Sequence, residues 1–387
     1  MVFEGNAASP RTVLIGLAVA LFLGTSLSVV SSVPARTLEC GKFTFPQCSG
    51  PDYQYGAGFK PRLGFGGFGG GSCVATKTPV VFIHGNGDRA TNWDSPITGQ
   101  VGNVPAPARS VYDEFKARGY NECELFGITY LSRNERGTPQ SNYHGPDKYT
   151  IIMRFIEAVK SYTGKPQIDV VAHSLGVSMT IAALTYYDSQ DRGRNAWDSV
   201  RKFVNIAGGI RGLSSCLYVG YANALASTCG SENVLNRYIF GLYPDTGTFF
   251  GYNAWTGFDG PFSMRRAPIV HSKEGFYTIH AGEHDQIHCS TLRGIQDCGT
   301  GALFVKHANV KAQLNVGAGA TARQLDFDFK DWSPFVLKGG DTDGVGHFKA
   351  KNNTGEIIYR MLNSDCTELE CKGTYTGGPV VAEDGGA

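Results

Sequence analysis

The sequence is poor in charge. Asp, Glu, Lys and Arg make up 18% of its 387 residues, and 35 basic against 34 acidic side chains leave a net charge of +1. No basic or acidic field builds up, which excludes nucleic acid or another polyion as the main partner. No cysteines are spaced Cys-x-x-Cys and no Cys/His cluster has ligand spacing, so no metal site is expected. Gly85 and Gly87 lack the Gly-Lys-Ser/Thr ending of a phosphate loop. There is no internal repeat and no charged linker.

Long apolar runs are also scarce. The exception is TVLIGLAVALFLGTSLSVV at 12–30, preceded by Arg11 and followed by the small residues SSVPA. This pattern predicts a secretory signal cleaved after Ala35, with Val33 three positions back. The alternative is an uncleaved anchor, because about 20 apolar residues span a bilayer. Serines interrupt the second half of the run, which favours the signal. Loss of Glu4 and Arg11 leaves the mature charge at +1. A secreted, extracellular chain is therefore expected, with 36–387 as one catalytic domain.

What is present is core-forming residue and cysteine. Hydrophobic residues make up 42% of the chain, enough to bury a full core. All ten cysteines lie beyond residue 35, an even count that suggests disulfides in a secreted protein. Connectivity does not follow from sequence; short loops make 40–48, 216–229, 289–298 and 366–371 natural pairs, leaving 73–123. Asn352-Asn353-Thr354 is a glycosylation sequon.

Residues 53–72, YQYGAGFKPRLGFGGFGGGS, show no periodicity and are expected to be an irregular surface segment. Strands and helices then alternate. Strands are predicted at 79–84, 123–131, 167–173, 201–208, 275–282 and 310–319, and helices at 108–119, 148–164, 175–187 and 355–362. Apolar strands alternating with helices imply an α/β fold, a mostly parallel sheet flanked by helices. Residues 209–274 break the pattern with many aromatics and read as an insertion between two sheet strands.

The chemistry centres on IDVVAHSLGVSMTIAAL at 168–184. A strand stops at Ser174 and turns at once into a helix, with small residues Ala172 and Gly176 two before and two after. That is the nucleophile turn of α/β-hydrolases, with Ala in place of the first Gly. The simpler reading is a serine capping a helix. A serine needs a base, and the α/β-hydrolase order is serine, acid, histidine. Asp285 leaves the end of a predicted strand, and His347 lies in a Gly-rich loop before the last helix. Asp341, Asp343 and Glu283 are rival acids by position, and His284 and His288 read as ordinary surface residues. The oxyanion donors expected are the N–H of Leu175 and that of Asn86, after VVFIHGNGD at 80–88. His84-Gly85 taken alone would be a simple turn.

The combination resembles secreted poly(3-hydroxybutyrate) depolymerases with a lipase-type serine motif. The resemblance rests on GFGGFGGGSC and VVFIHGNGD, ARSVYDEFKARGYNECELFGITYLS, IDVVAHSLGVSM, KFVNIAGGIRGL, NAWTG and VGHFKAKNNTGEIIYRML. It covers roughly residues 38–375, including all ten cysteines. It implies an α/β-hydrolase core without a separate substrate-binding domain, acting on amorphous short-side-chain polyester. The family's triad falls on Ser174, Asp285 and His347, and its oxyanion donors on Asn86 and Leu175. A polymer-touching tyrosine falls on Tyr143, while the tyrosine often found two residues earlier is Ser141 here. The function expected is a serine esterase working through an acyl-enzyme, without cofactor or metal. Triacylglycerol lipase or general carboxylesterase is the alternative, and a non-catalytic surface-adhesion protein the remote one. The partner expected is a polyester surface, met by a monomer with no nucleic acid and no stable membrane partner. An enzyme without a binding module must adsorb through its own exposed aromatics, in 209–274 and at Tyr143.

Overall fold

Apolar β-branched and aromatic runs between helical segments form the spine of the protein. In the computed structural model these runs are the inner strands of one nine-stranded sheet. The structure describes residues 39–40, 48–49, 52–94, 103–190, 195–219, 226–248, 251–266, 275–289, 298–320 and 340–385. All lie within one unit, Arg36–Ala387. The expected signal at 1–35 and the apolar run at 12–30 lie outside the described residues. Among those described, no helix is long and apolar enough to cross a membrane.

The strands are β1 (Glu39–Cys40), β2 (Cys48–Ser49), β3 (Tyr53–Tyr55), β4 (Gly67–Gly69), β5 (Val80–Ile83), β6 (Leu125–Ile128), β7 (Ile168–His173), β8 (Val200–Ile206), β9 (Gly275–His280), β10 (Val310–Asn315) and β11 (Val381–Ala382). β1 and β2 pair with each other. The rest form the order β11-β10-β9-β8-β7-β5-β6-β4-β3. From β6 through β5, β7, β8, β9 and β10 every pairing is parallel. β4 and β11 join antiparallel. β5 pairs with β6 on one side and β7 on the other, so chain order reverses there. In open parallel sheets, ligands bind outside the carboxyl ends of strands at such a point.

The helices are α1 (Val111–Ala117), α2 (Arg133–Gly137), α3 (Pro146–Thr163), α4 (Leu175–Gln190), α5 (Cys216–Val219), α6 (Lys349–Asn352) and α7 (Gly355–Asn363). Helices α1 and α3 have identifiable caps. Ser110 caps α1 by accepting the Asp113 N–H. α3 begins at Pro146 and ends at left-handed Gly164. α3 and α4 cover one face of the sheet, burying Phe155, Ile156, Val177 and Leu184 with Val170 and Phe203. α1 and α7 cover the other, burying Phe115, Ile358 and Met361 with Phe82 and Val204. Covered on both faces, the chain has the α/β-hydrolase fold. Residues 175–184 of α4 are all buried, so this helix runs through the interior.

Residues 53–72 are not an irregular surface segment. They supply β3 and β4, and Phe59 and Phe68 are buried. The glycines that hid the strand permit it: Gly67 and Gly69 have φ of 147° and 128°. A Cβ at Gly67 would lie 2.0 Å from the Gly127 carbonyl oxygen on β6. Only a chain without side chains there can lie so close.

Four disulfides join Cys73–Cys123, Cys216–Cys229, Cys289–Cys298 and Cys366–Cys371, as the spacing suggested. Cys40 and Cys48 are backbone partners in β1–β2, and the expected 40–48 pairing lies outside the described side chains. The sequon gives a different outcome. Asn352 is 2% exposed on α6, with a buried Nδ2 that has no hydrogen-bond partner among the described residues, so a glycan there has no room.

Candidate active site

Ser174 sits where β7 ends and α4 begins. Its φ is +54°, a left-handed conformation rare for a residue with a Cβ, which among the described residues only Ala207 and Glu368 share outside glycine. Its N–H donates to the Ile206 carbonyl on β8 at 2.8 Å, and its carbonyl accepts from Val177 in the first turn of α4. The strained corner is therefore held from both sides. The side chain stays half-buried at the carboxyl edge of the sheet, on a helix N-terminus.

Asp285 follows β9 and His347 follows β10, and the structure brings them together. His347 Nδ1 lies 2.8 Å from Asp285 Oδ2 and 3.0 Å from Oδ1. Oδ1 also accepts the N–H groups of Ile287 and His288, each at 2.9 Å. Burial alone would raise this carboxyl, but the imidazoles of His288 and His347 and these hydrogen bonds outweigh it. Asp285 is held well below the usual carboxylate range. An ionised carboxylate on Nδ1 fixes the imidazole tautomer and leaves the lone pair on Nε2.

The rival acids have other partners. Asp341 is buried and accepts the N–H groups of Gly346, Phe348 and Lys349. It also accepts from Gln286 Nε2 at 2.5 Å, while Gln286 Oε1 accepts the His347 N–H at 3.0 Å. Asp341 thus shapes the loop that carries His347 without touching the ring. Asp343 accepts from Ala320, and Glu283 is exposed. The expectation that His288 is an ordinary surface residue is wrong. It is 4% exposed, and its Nε2 donates to the Ala207 carbonyl at 3.1 Å, which steadies the Asp285 loop. Neither Gln286 nor Asp341 is marked in sequence beyond closeness to Asp285 and His347. Asp285, His288 and His347 are the group of described residues whose ligand atoms lie close enough to share a cation, all within 4.8 Å. The facing atoms of Asp285 and His347 already bond each other.

The loop after β5 is more than a turn. His84 is fully buried and stacks on Tyr130 at 4.4 Å. Its Nε2 accepts the Tyr130 N–H and its Nδ1 donates to the Gly85 carbonyl at 2.7 Å. Burial lowers its pKa to about 4, so it is a neutral strut. Asn86 is clamped through its side chain: Nδ2 donates to Pro139 O at 2.8 Å, and Oδ1 accepts from Asn142 at 2.6 Å. Asp88 pairs with buried Lys351 at 3.1 Å, which ties this loop to α6 behind His347. Among the described residues, the main-chain N–H groups of Asn86 and Leu175 have no protein acceptor. Both remain available to a ligand.

Tyr143 is 37% exposed, with Lys148 Nζ 4.2 Å from its ring centroid. Several aromatics of the insertion are interior packing. His144, Phe240, Trp255 and Phe262 stack in sequence at 4.1, 4.6 and 4.9 Å, and the Arg237 guanidinium covers Phe262. His144 Nε2 meets Ser178 Oγ of α4 at 2.7 Å, which anchors this stack one turn beyond Ser174.

Residues 77–242, under half of the chain, match the family model of lipase (class 2), which supports a lipase/esterase-type hydrolase. A search of curated proteins finds no match. Among solved structures, Bacillus licheniformis lipase BlEst2 in mature form is 15% identical with a TM-score of 0.32, covering 62% of this chain and 82% of that one. Aspergillus fumigatus lipase B is 13% identical with a TM-score of 0.29, and this chain spans 37% of its length and is covered over 53% of its own. Legionella pneumophila phospholipase PlaB in complex with thio-NAD is 12% identical with a TM-score of 0.35, covering 77% of this chain and 61% of that one.

Proposed function

We propose that the protein is a secreted serine esterase that hydrolyses ester bonds of poly(3-hydroxybutyrate). The observation that carries the reading is the His347–Asp285 hydrogen bond on the two loops that follow β9 and β10. Ser174 stands at a strained corner at the same edge of the sheet. Ser174 Oγ attacks the ester carbonyl carbon while His347 Nε2 takes its proton. The carbonyl oxygen becomes an oxyanion facing the N–H groups of Asn86 and Leu175. Collapse breaks the ester C–O bond, and the leaving alkoxide takes the proton from His347. Water, deprotonated by His347, then attacks the acyl-enzyme; the Ser174 Oγ–acyl bond breaks, Ser174 takes the proton back from His347, and the acid is freed. Polyester as substrate rests on the motif resemblance over residues 38–375.

Ser174→Ala is expected to abolish hydrolysis of a soluble p-nitrophenyl ester and leave thermal unfolding unchanged. Undiminished turnover in that variant ends the assignment. The class 2 lipase match favours a second reading, triacylglycerol hydrolysis. Clearing of amorphous polyhydroxybutyrate granules with release of soluble oligomers supports the polyester; clearing only of emulsified long-chain oil selects the lipase. Granule binding without soluble product points to an adhesion protein.

A further inference from the structure

A buried imidazole next to Ser174 takes no part in the steps above. His173 closes β7 and is 1% exposed. Its ring centroid lies 4.8 Å from that of His347, and its Nε2 lies 3.1 Å from the His347 main-chain carbonyl oxygen. A carbonyl only accepts, so Nε2 carries the proton and Nδ1 is a bare lone pair. That Nδ1 is buried without a partner among the described residues. It faces the loop after β5: a Cβ at Gly85 would lie 2.9 Å from His173 Nδ1 and 2.9 Å from Ser174 Cβ. Burial, reinforced by neighbouring His347, drives the His173 pKa well below that of a free histidine, so the ring stays neutral.

A buried lone pair left unpaired costs about 1–3 kcal/mol. A leucine would avoid that cost and fill similar space. What leucine cannot supply is the hydrogen bond to the backbone of His347. We propose that His173 is a positioning residue, a spacer that sets the separation of the Gly85–Asn86 loop and the His347 loop across Ser174. It acts through His347 and does not touch substrate. The inference rests on the reading of Ser174 and His347 as nucleophile and base. A displacement of about 1 Å in such a constellation lowers turnover about 100-fold.

The test compares the full-length wild-type chain with His173→Leu and His173→Gln, whose amide can donate to the same carbonyl. The readouts are kcat and KM on a soluble p-nitrophenyl ester and the pH profile of kcat/KM. The leucine variant is expected to lose about tenfold to 100-fold in kcat with KM within twofold, and to shift the acid limb of the profile. The glutamine variant is expected to recover at least threefold of that loss. Equal kcat in both variants, or a loss carried by KM alone, overturns the proposal. Should the leucine variant not fold, His173→Ser replaces it under the same criteria. A negative result here leaves the Ser174 assignment standing as long as Ser174→Ala is inactive; full activity of Ser174→Ala removes the assignment itself.

Discussion

Gly176 stands directly against the main-chain oxygen of His84. A Cβ at position 176 would lie 2.3 Å from that oxygen and 3.0 Å from the carbonyl oxygen of Ile83. Both contacts are backbone, so neither can swing away. The first turn of α4 therefore rests on the end of β5, and the Ser174 corner and the Asn86 loop share one wall. Gly176→Ala is expected to cost about 1–3 kcal/mol through overpacking. It is also expected to lower soluble-ester turnover at least about 100-fold by moving Ser174 against the N–H groups of Asn86 and Leu175, the oxyanion donors of the proposed mechanism. Urea unfolding and a kcat measurement check both; a fully active, equally stable variant refutes the contact.

The two carboxylates beside His347 are expected to fail differently. Asp285→Asn removes the charge bonded to Nδ1 and should lower kcat by about 10⁴-fold with little change in melting temperature. Asp341→Asn turns an acceptor of three main-chain N–H groups and Gln286 into a mismatched amide. It should lower stability by about 1–3 kcal/mol. A kcat loss from Asp341→Asn as large as that from Asp285→Asn would reverse their roles.

Acid should weaken the fold through buried neutral histidines. Burial lowers His144 to about 3 and His84 to about 4, from an unfolded value of 6.5. Below pH 6.5 the unfolded chain binds a proton at each that the folded chain refuses, so stability falls with pH until the folded value is reached. His144→Gln should reduce the slope of unfolding free energy against pH, between about 5.5 and 4, by about 1.4 kcal/mol per pH unit. Parallel slopes for wild type and variant would show that His144 is charged in the fold.

The cross-links should rank by the chain they close. Cys73–Cys123 spans 50 residues and Cys366–Cys371 spans 5. Loop entropy gives about 4 kcal/mol for the first and about 2 kcal/mol for the second. Paired serine replacements, compared by denaturant midpoint, should preserve that order.

Expression in a glycosylating host should leave Asn352 unmodified in the folded protein. A peptide map showing a glycan there on active enzyme would contradict its burial.

Much of this arrangement was legible in sequence because it is local. The strand–Ser174–helix corner needs a run of β-formers, a small residue on each side and a helical run, all within 168–184. Asp285 and His347 could be placed only by order along the chain; their contact joins loops 62 residues apart. The parts missed depend on tertiary contact. Gly67 and Gly69 form a strand only because β6 lies against them, so no alternation of side chains announces it. Asp341 looked like a rival acid because proximity in sequence says nothing about which atom of His347 it meets. The aromatics of 209–274 were visible as a cluster, but their stacking on His144 was not.

The short outer strands also bear on behaviour in a crowd. The sheet ends in the three residues of β3 on one side and the two residues of β11 on the other. A long unpaired margin would offer ladder hydrogen bonds to the next molecule. Among the described residues the nine-stranded sheet has no such margin, so crowded molecules find little edge there for fibrous self-association.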